Sequence, residues 1–141
     1  MHKKIYRIAA LLSMFAVILG AFGAHWLKKY LTAESLASFQ TATTYLTIHA
    51  LALFIVGNLY RHYKEKKMIV VSYLMITGIV LFSGSIYFRV FTNAAAVGGF
   101  DAVVFITPAG GLAFIVAWLL LFISIPKSEE RHSFKERRSS E

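Results

Sequence analysis

Four apolar runs, each close to the length of a membrane-crossing helix, divide this chain: roughly Ile5–Leu27, Thr41–Tyr60, Met68–Phe91 and Val103–Ile125. Lipid offers no partner to a backbone N–H or C=O, so a spanning segment must satisfy its own peptide groups, and a helix of about 20 residues does so. The runs therefore predict an all-α membrane protein, a bundle of four transmembrane helices. Composition agrees: 57% of the 141 residues are hydrophobic, the mean hydropathy is +0.62, and 16% are charged against about 25% in soluble domains. The chain has no cysteine, which removes disulfides and thiolate metal sites and leaves the redox compartment unread.

The net charge of +8 raises the question of nucleic acid. The basic residues, however, lie in short segments between apolar runs instead of over a folded surface, which is a topology signal and excludes that partner. Lys3, Lys4 and Arg7, then Arg61, Lys64, Lys66 and Lys67, then Lys127, Arg131, Lys135, Arg137 and Arg138 make up twelve of the 15 Lys and Arg. Only Lys28, Lys29 and Arg89 fall on the other side. By the positive-inside rule both termini are expected in the cytoplasm. A rival is a cleaved signal peptide over Met1–Ala24, with small residues at Ala21, Gly23 and Ala24. Its apolar stretch, Ile8–Ala24, exceeds the ~7–15 residues of an ordinary signal core, so an uncleaved first span is the expectation.

Residues 1–125 form the expected transmembrane domain. Within it, Lys28–Ser38 is the only connection with structure of its own: Thr32 can cap a helix whose first turn carries Glu34, and Leu36 and Phe39 then share a side. This predicts a short extracytoplasmic interfacial helix that runs into span two. Arg61–Lys67 is short and basic, making spans two and three antiparallel neighbours. The third link, Thr92–Ala102, is small and contains Gly98, Gly99 and one acid, Asp101. Residues 126–141 are polar, mixed in charge, and expected to be disordered.

Polar side chains inside the spans gather in the half away from the basic ends. Counting 1.5 Å per residue puts Gly20 and Ser83 about 22 Å up their spans and Pro108 about 8 Å down span four. Thr41, Thr43, Thr44, Tyr45, Thr47 and His49 crowd the same half of span two, followed by an apolar stretch. His49 is the deepest of them, and an ionisable side chain at that depth is costly enough to be a functional-site hypothesis. Thr41, Tyr45 and His49 share an i, i+4 stripe. One reading is an outer-leaflet polar pocket of His49, Tyr45, Thr41, Ser83, Ser85 and Thr107, with His25 and Gln40 at its outer rim. The plainer reading is interhelical glue, with Tyr45 or Ser83 satisfying His49 at roughly 1 kcal/mol per bond, and His25 beside Trp26 as an interfacial anchor.

Small residues suit close helix packing, which in lipid replaces apolar burial as the driving force. Ala16, Gly20 and Ala24 recur every four residues on span one, as do Ala109, Ala113 and Ala117 on span four; Gly84, Gly110 and Gly111 add to the set. Pro108 falls at the start of span four, where the early amides lack partners anyway.

Several chemistries drop out. No span contains Asp, Glu or Lys, so carboxylate proton relays are absent. Two histidines without a carboxylate or cysteine make a poor zinc site, and no intramembrane acid orients His49 beside a serine. No metal and no cofactor is expected.

Four ordered motifs are recognisable: Gly20-Ala-Phe-Gly-Ala-His25; Thr41 to Leu53 with Tyr45 and His49-Ala-Leu-Ala; Phe82-Ser-Gly-Ser-x-Tyr87; and Thr107-Pro-x-Gly-Gly111 followed by Trp118. Over about Ile5–Phe122 the chain resembles the YgdD/YwdK family, small bacterial inner-membrane proteins gathered under a domain of unknown function. The resemblance implies a four-helix, multi-pass plasma-membrane protein and assigns no catalytic or ligand residue. The charged tail is a departure from it.

Three functions stay open. The favoured one is non-enzymatic: a multi-pass membrane protein binding a small amphiphile or a partner helix in the polar pocket, within the lipid bilayer. The alternatives are a small oligomeric transporter or channel, and a lipid- or quinone-modifying enzyme with neutral His49 as base. A homo-oligomer or a partner membrane protein fits the first two.

Overall fold

The computed structural model describes residues 2–94 and 103–125, with backbone alone at 103 and 104. The charged tail and most of the third link lie outside the described residues. Helix α1 is His2–His25, followed by a 3-10 turn Leu27–Lys29; α2 is Ala33–Tyr63; α3 is Lys66–Gly78, continuing through a π-helical segment Ile79–Ser83 into α4, Gly84–Ala94; α5 is Val103–Ser124. Four of the resulting helices, His2–Lys29, Ala33–Tyr63, Lys66–Ala94 and Phe105–Ser124, are long and apolar enough to cross a membrane. The predicted all-α class and the number of spans hold.

The capping logic at Thr32 is observed: its Oγ1 accepts the Ser35 N–H at 3.2 Å, with Glu34 in the first turn. The expected interfacial helix is continuous with span two, since nothing between Ser38 and Thr41 breaks a helix. At 1.5 Å per residue a 31-residue helix is about 46 Å long, well beyond a hydrocarbon core, so its first turns extend past the span. Trp26 and Tyr30, with ring centroids 4.9 Å apart, stand at that same end.

Span one packs chiefly against α2, in antiparallel register. Tyr6 stacks on Phe54 at 6.3 Å and lies against Gly57; Gly20 faces the Thr43 methyl; Gly23 faces the Phe39 ring. Spans two, three and four form the rest of the bundle, with α3 and its π segment closely packed on α5. A Cβ at Gly78 would run into the Phe114 ring, and one at Gly110 into the Phe82 backbone N.

The small-residue expectations need correction here. On α1 the buried positions are Ile5, Ala9, Ala16 and Gly23, whereas Ala24 is exposed and Gly20 half-buried. On α5 they are Gly110, Phe114, Ala117, Leu121 and Ser124, whereas Ala109 is exposed and Ala113 half-buried. Four residues overshoot a turn and walk round the helix, but seven residues drift only ~20°, so a seven-residue stripe stays under its neighbour. The packing stripes are thus Ala9–Ala16–Gly23 and Gly110–Ala117–Ser124, the period of left-handed helix pairs. Gly111 is half-buried against the Phe82 ring. Gly84 makes no such contact: it is exposed and a Cβ there would meet open space.

Pro108 lies where the apolar run placed it, but too far into the helix for the early-amide argument to apply. Helix α5 begins at Val103, so Pro108 sits in its second turn, exposed, with its missing amide inside the helix.

The π segment inserts one extra residue into a turn of span three. Everything beyond it is rotated relative to the first half, and Ser83 and Ser85 face inward as a result.

Candidate functional site

His49 is 3% exposed, held between α2 and α5. Its Nδ1 lies 2.8 Å from the Tyr45 carbonyl O, one turn back on α2, and its Nε2 accepts the Trp118 indole N–H at 3.1 Å. An indole nitrogen only donates and a carbonyl only accepts, so the tautomer is fixed: His49 is neutral, protonated on Nδ1, with Nε2 as acceptor. The Phe114 ring stacks on the imidazole with centroids 3.5 Å apart and planes at 13°. Tyr45 lies near-parallel at 6.0 Å and itself packs on Phe82 at 4.6 Å. Both imidazole nitrogens are therefore used and one face is covered, which leaves no lone pair or proton for a reacting group.

The structure places the remaining predicted residues at separate junctions instead of one pocket. Ser83, buried, donates to the Ala42 carbonyl at 2.9 Å and ties span three to span two; it does not reach His49. Ser85 donates to the Phe82 carbonyl and lies 2.6 Å from the Thr107 hydroxyl, linking span three to span four. Thr41 is exposed and returns its hydroxyl to the Ala37 carbonyl. Tyr45 is exposed, and it serves His49 with its backbone, not its phenol. His25 is exposed at the end of α1, apart from these junctions and in the place of an interfacial anchor. Gln40, also exposed, does join an open feature described below.

The threonines explain the density of polar residues on α2. Thr43, Thr44 and Thr47 donate to the carbonyls of Phe39, Gln40 and Thr43, at 2.9, 2.9 and 2.8 Å. A hydroxyl that bonds the carbonyl one turn back costs little in lipid, because its only proton is satisfied locally. Thr43 has a second partner, the Tyr87 hydroxyl at 2.9 Å. Its proton is already given to Phe39, so Tyr87 is the donor in that contact between spans two and three.

A groove of 380 Å³ opens between α1 and α2 at the end away from the basic residues. Gly20, Gly23 and Ala24 form one wall; Phe39, Gln40, Thr43, Thr44 and Thr47 form the other. Small residues on α1 keep it open: a Cβ on Gly20 would still stand 3.9 Å from Thr43. Since the threonine protons are spent on carbonyls, what Thr44 and Thr47 offer the groove is oxygen lone pairs. Gln40 alone adds amide donors.

Residues of weight here that sequence reasoning passed over are Trp118 and Phe114 as partners of His49, Tyr87 as partner of Thr43, and Ser13. The last has a buried hydroxyl with no partner among the described residues. For Trp118 a signal existed. An indole N–H well inside a span, away from the interfacial belt, needs an acceptor, and a neutral histidine is one.

The comparisons with known proteins point one way. The family model described as "Protein of unknown function (DUF423)" matches residues 19–111. A UPF0382 membrane protein of Staphylococcus saprophyticus is 40% identical over 116 residues, covering 82% of this chain and 91% of its own. The UPF0382 membrane protein YwdK of Bacillus subtilis is 36% identical over 121 residues, covering 85% and 94%. One from Haemophilus influenzae is 35% identical over 130 residues, covering 92% and 98%. No solved structure matches. Four membrane-length helices and similarity to these relatives over most of the chain lead to one conclusion: the chain belongs to the DUF423 (UPF0382) family of membrane proteins, whose molecular function is unknown.

Proposed function

We propose that this protein is a non-catalytic binding protein of the bacterial plasma membrane, with both termini cytoplasmic. Residues 1–125 form its membrane domain, and its ligand site is the groove between α1 and α2 in the outer leaflet. The occupant is a small amphiphile whose head donates hydrogen bonds. One observation carries this reading: the groove wall presents threonine oxygens whose own protons are already committed to backbone carbonyls. Such oxygens accept and do not give, so a hydroxyl- or amine-bearing head meets most of the wall, whereas an acceptor-only head finds donors in the Gln40 amide alone. The candidate pocket first sought around His49 is replaced by this groove, because the His49 nitrogens are both occupied.

The test fills the groove. Gly20→Leu adds a side chain where a Cβ has room, away from the tight contact at Gly23. Wild-type and variant protein are purified in mild detergent and their co-purifying lipids identified by native mass spectrometry. A hydroxylated or amine lipid retained by the wild type and lost from the variant supports the proposal. Identical lipid complements in two equally folded proteins refute it.

A further inference from the structure

The opposite end of the bundle carries the second surface. Tyr6 lies on Gly57 and Phe54, so the first turns of α1 stand beside the last turns of α2. Helix α3 then begins after a two-residue turn, Lys64-Glu65. This brings Lys3, Lys4 and Arg7 to the same end as Arg61, Lys64, Lys66 and Lys67, all exposed, with Glu65 as the one acid there among the described residues. Among the described residues none of these cations is ion-paired.

Topology alone does not account for two details. Lys64 adopts a left-handed conformation, φ 52°, ψ 21°, at the C-terminus of α2, where its N–H bonds the Tyr60 carbonyl at 2.9 Å. Glycine takes that position without strain, so a lysine there costs stability that the negative end of the α2 dipole offsets only in part, and its ammonium has no ion-pair partner among the described residues. Lys66 and Lys67 open α3 at the positive end of its dipole, and Glu65 makes no side-chain cap. Lys64 is thus strained in its backbone, and Lys66 and Lys67 stand against the α3 dipole, which is intelligible if an anion outside the protein meets them. The half-buried Tyr60 and Tyr63 beside them mark this level as the headgroup region.

We propose that this end of the bundle is a docking surface for anionic phospholipid headgroups, gripped by the Lys64–Lys67 turn together with Lys3, Arg7 and Arg61. It lies at the other end of α1 and α2 from the groove, and binding here is independent of the groove's occupant. Clustered lysine and arginine at a membrane surface attract acidic lipids, and a short strained turn between two helices holds its charges at fixed spacing.

The full-length chain in neutral maltoside micelles provides the test, since orientation in a membrane does not affect the readout. Its thermal midpoint is measured with added dioleoylphosphatidylglycerol, dioleoylphosphatidylcholine, or sodium phosphate at matched ionic strength. Phosphatidylglycerol should raise the midpoint by several degrees; the other two should not. Lys64→Gly keeps the turn and relieves its strain, so its lipid-free midpoint should rise while its phosphatidylglycerol increment shrinks. Adding Lys66→Gln and Lys67→Gln should remove most of that increment, and Gly20→Leu should leave it intact. Equal effects of the two lipids, an effect reproduced by free phosphate, or a full increment in the Lys64→Gly protein overturns the proposal.

Discussion

Removing the indole donor from Trp118 is the sharpest test of how the second and fourth spans are joined. Trp118→Phe keeps an aromatic ring but deletes the N–H that reaches His49 Nε2 at 3.1 Å. Trp118 is 42% exposed, so much of its ring already faces lipid and the lost packing is small. The dominant effect is then the orphaned acceptor on a buried imidazole. Leaving a buried polar group unpaired costs about 1–3 kcal/mol in general, and interhelical hydrogen bonds in membranes average ~0.6 with a maximum near ~1.7 kcal/mol. We expect Trp118→Phe to cost about 1–1.5 kcal/mol on these scales, and His49→Leu more, because it also gives up the stack on Phe114. In the double variant neither orphan remains, so its cost should fall short of the sum by about 1 kcal/mol. Reversible unfolding in dodecyl sulfate–maltoside mixed micelles, followed by circular dichroism, gives all four corners of the cycle. Nitrogen NMR of the imidazole supplies a second readout: a proton on Nδ1 in the wild type. Additive costs together with a proton on Nε2 would refute the arrangement.

Other substitutions probe separate parts of the structure. Gly110→Ala drives a methyl into the Phe82 backbone and should cost more than about 2 kcal/mol in the same unfolding assay, whereas Gly84→Ala, in open space on a helix, should be neutral or stabilise by up to about 1 kcal/mol. Ser13→Ala deletes a buried hydroxyl that has no partner among the described residues and should raise stability by about 1 kcal/mol; a loss of that size would mean the hydroxyl has a partner. Tyr87→Phe removes the donor to Thr43 and should cost about 1 kcal/mol, read as a lower unfolding midpoint, with no further loss when Thr43→Val is added. A fluorescent protein fused after residue 141 should glow, and a periplasmic phosphatase fused there should stay inactive, if the basic end is cytoplasmic.

The spans were legible because hydrophobic run length is a one-dimensional signal, and the Thr32 cap because it acts over three residues. What the sequence hid is angular. A polar layer at common depth looked like one pocket, yet depth says nothing of direction: Thr44 and Thr47 face α1 while His49 faces α5. The four-residue recurrence of Ala16, Gly20 and Ala24 is conspicuous in print, but only Ala16 of the three is buried, Gly20 and Ala24 edging the open groove, and the buried stripe is the less obvious Ala9–Ala16–Gly23. The π segment adds a further rotation within span three that no residue pattern announced. Donor accounting separates the two faces of α2: once each threonine proton is traced to a carbonyl, the glue and the groove are distinguishable.

The meeting of His49 and Trp118 also bears on the order in which the protein assembles. Span one lies on span two, span two on span three, and span three on span four, so each backbone contact of weight joins helices consecutive in the chain. Such helices can pair as they leave the insertion machinery, one after another, without waiting. The second and fourth spans meet instead through side chains, the imidazole with the rings of Phe114 and Trp118. Apart from Trp118 on the last span, none of the described residues donates to His49 Nε2. The hydrogen bond at the heart of span two thus depends on the last span being in place.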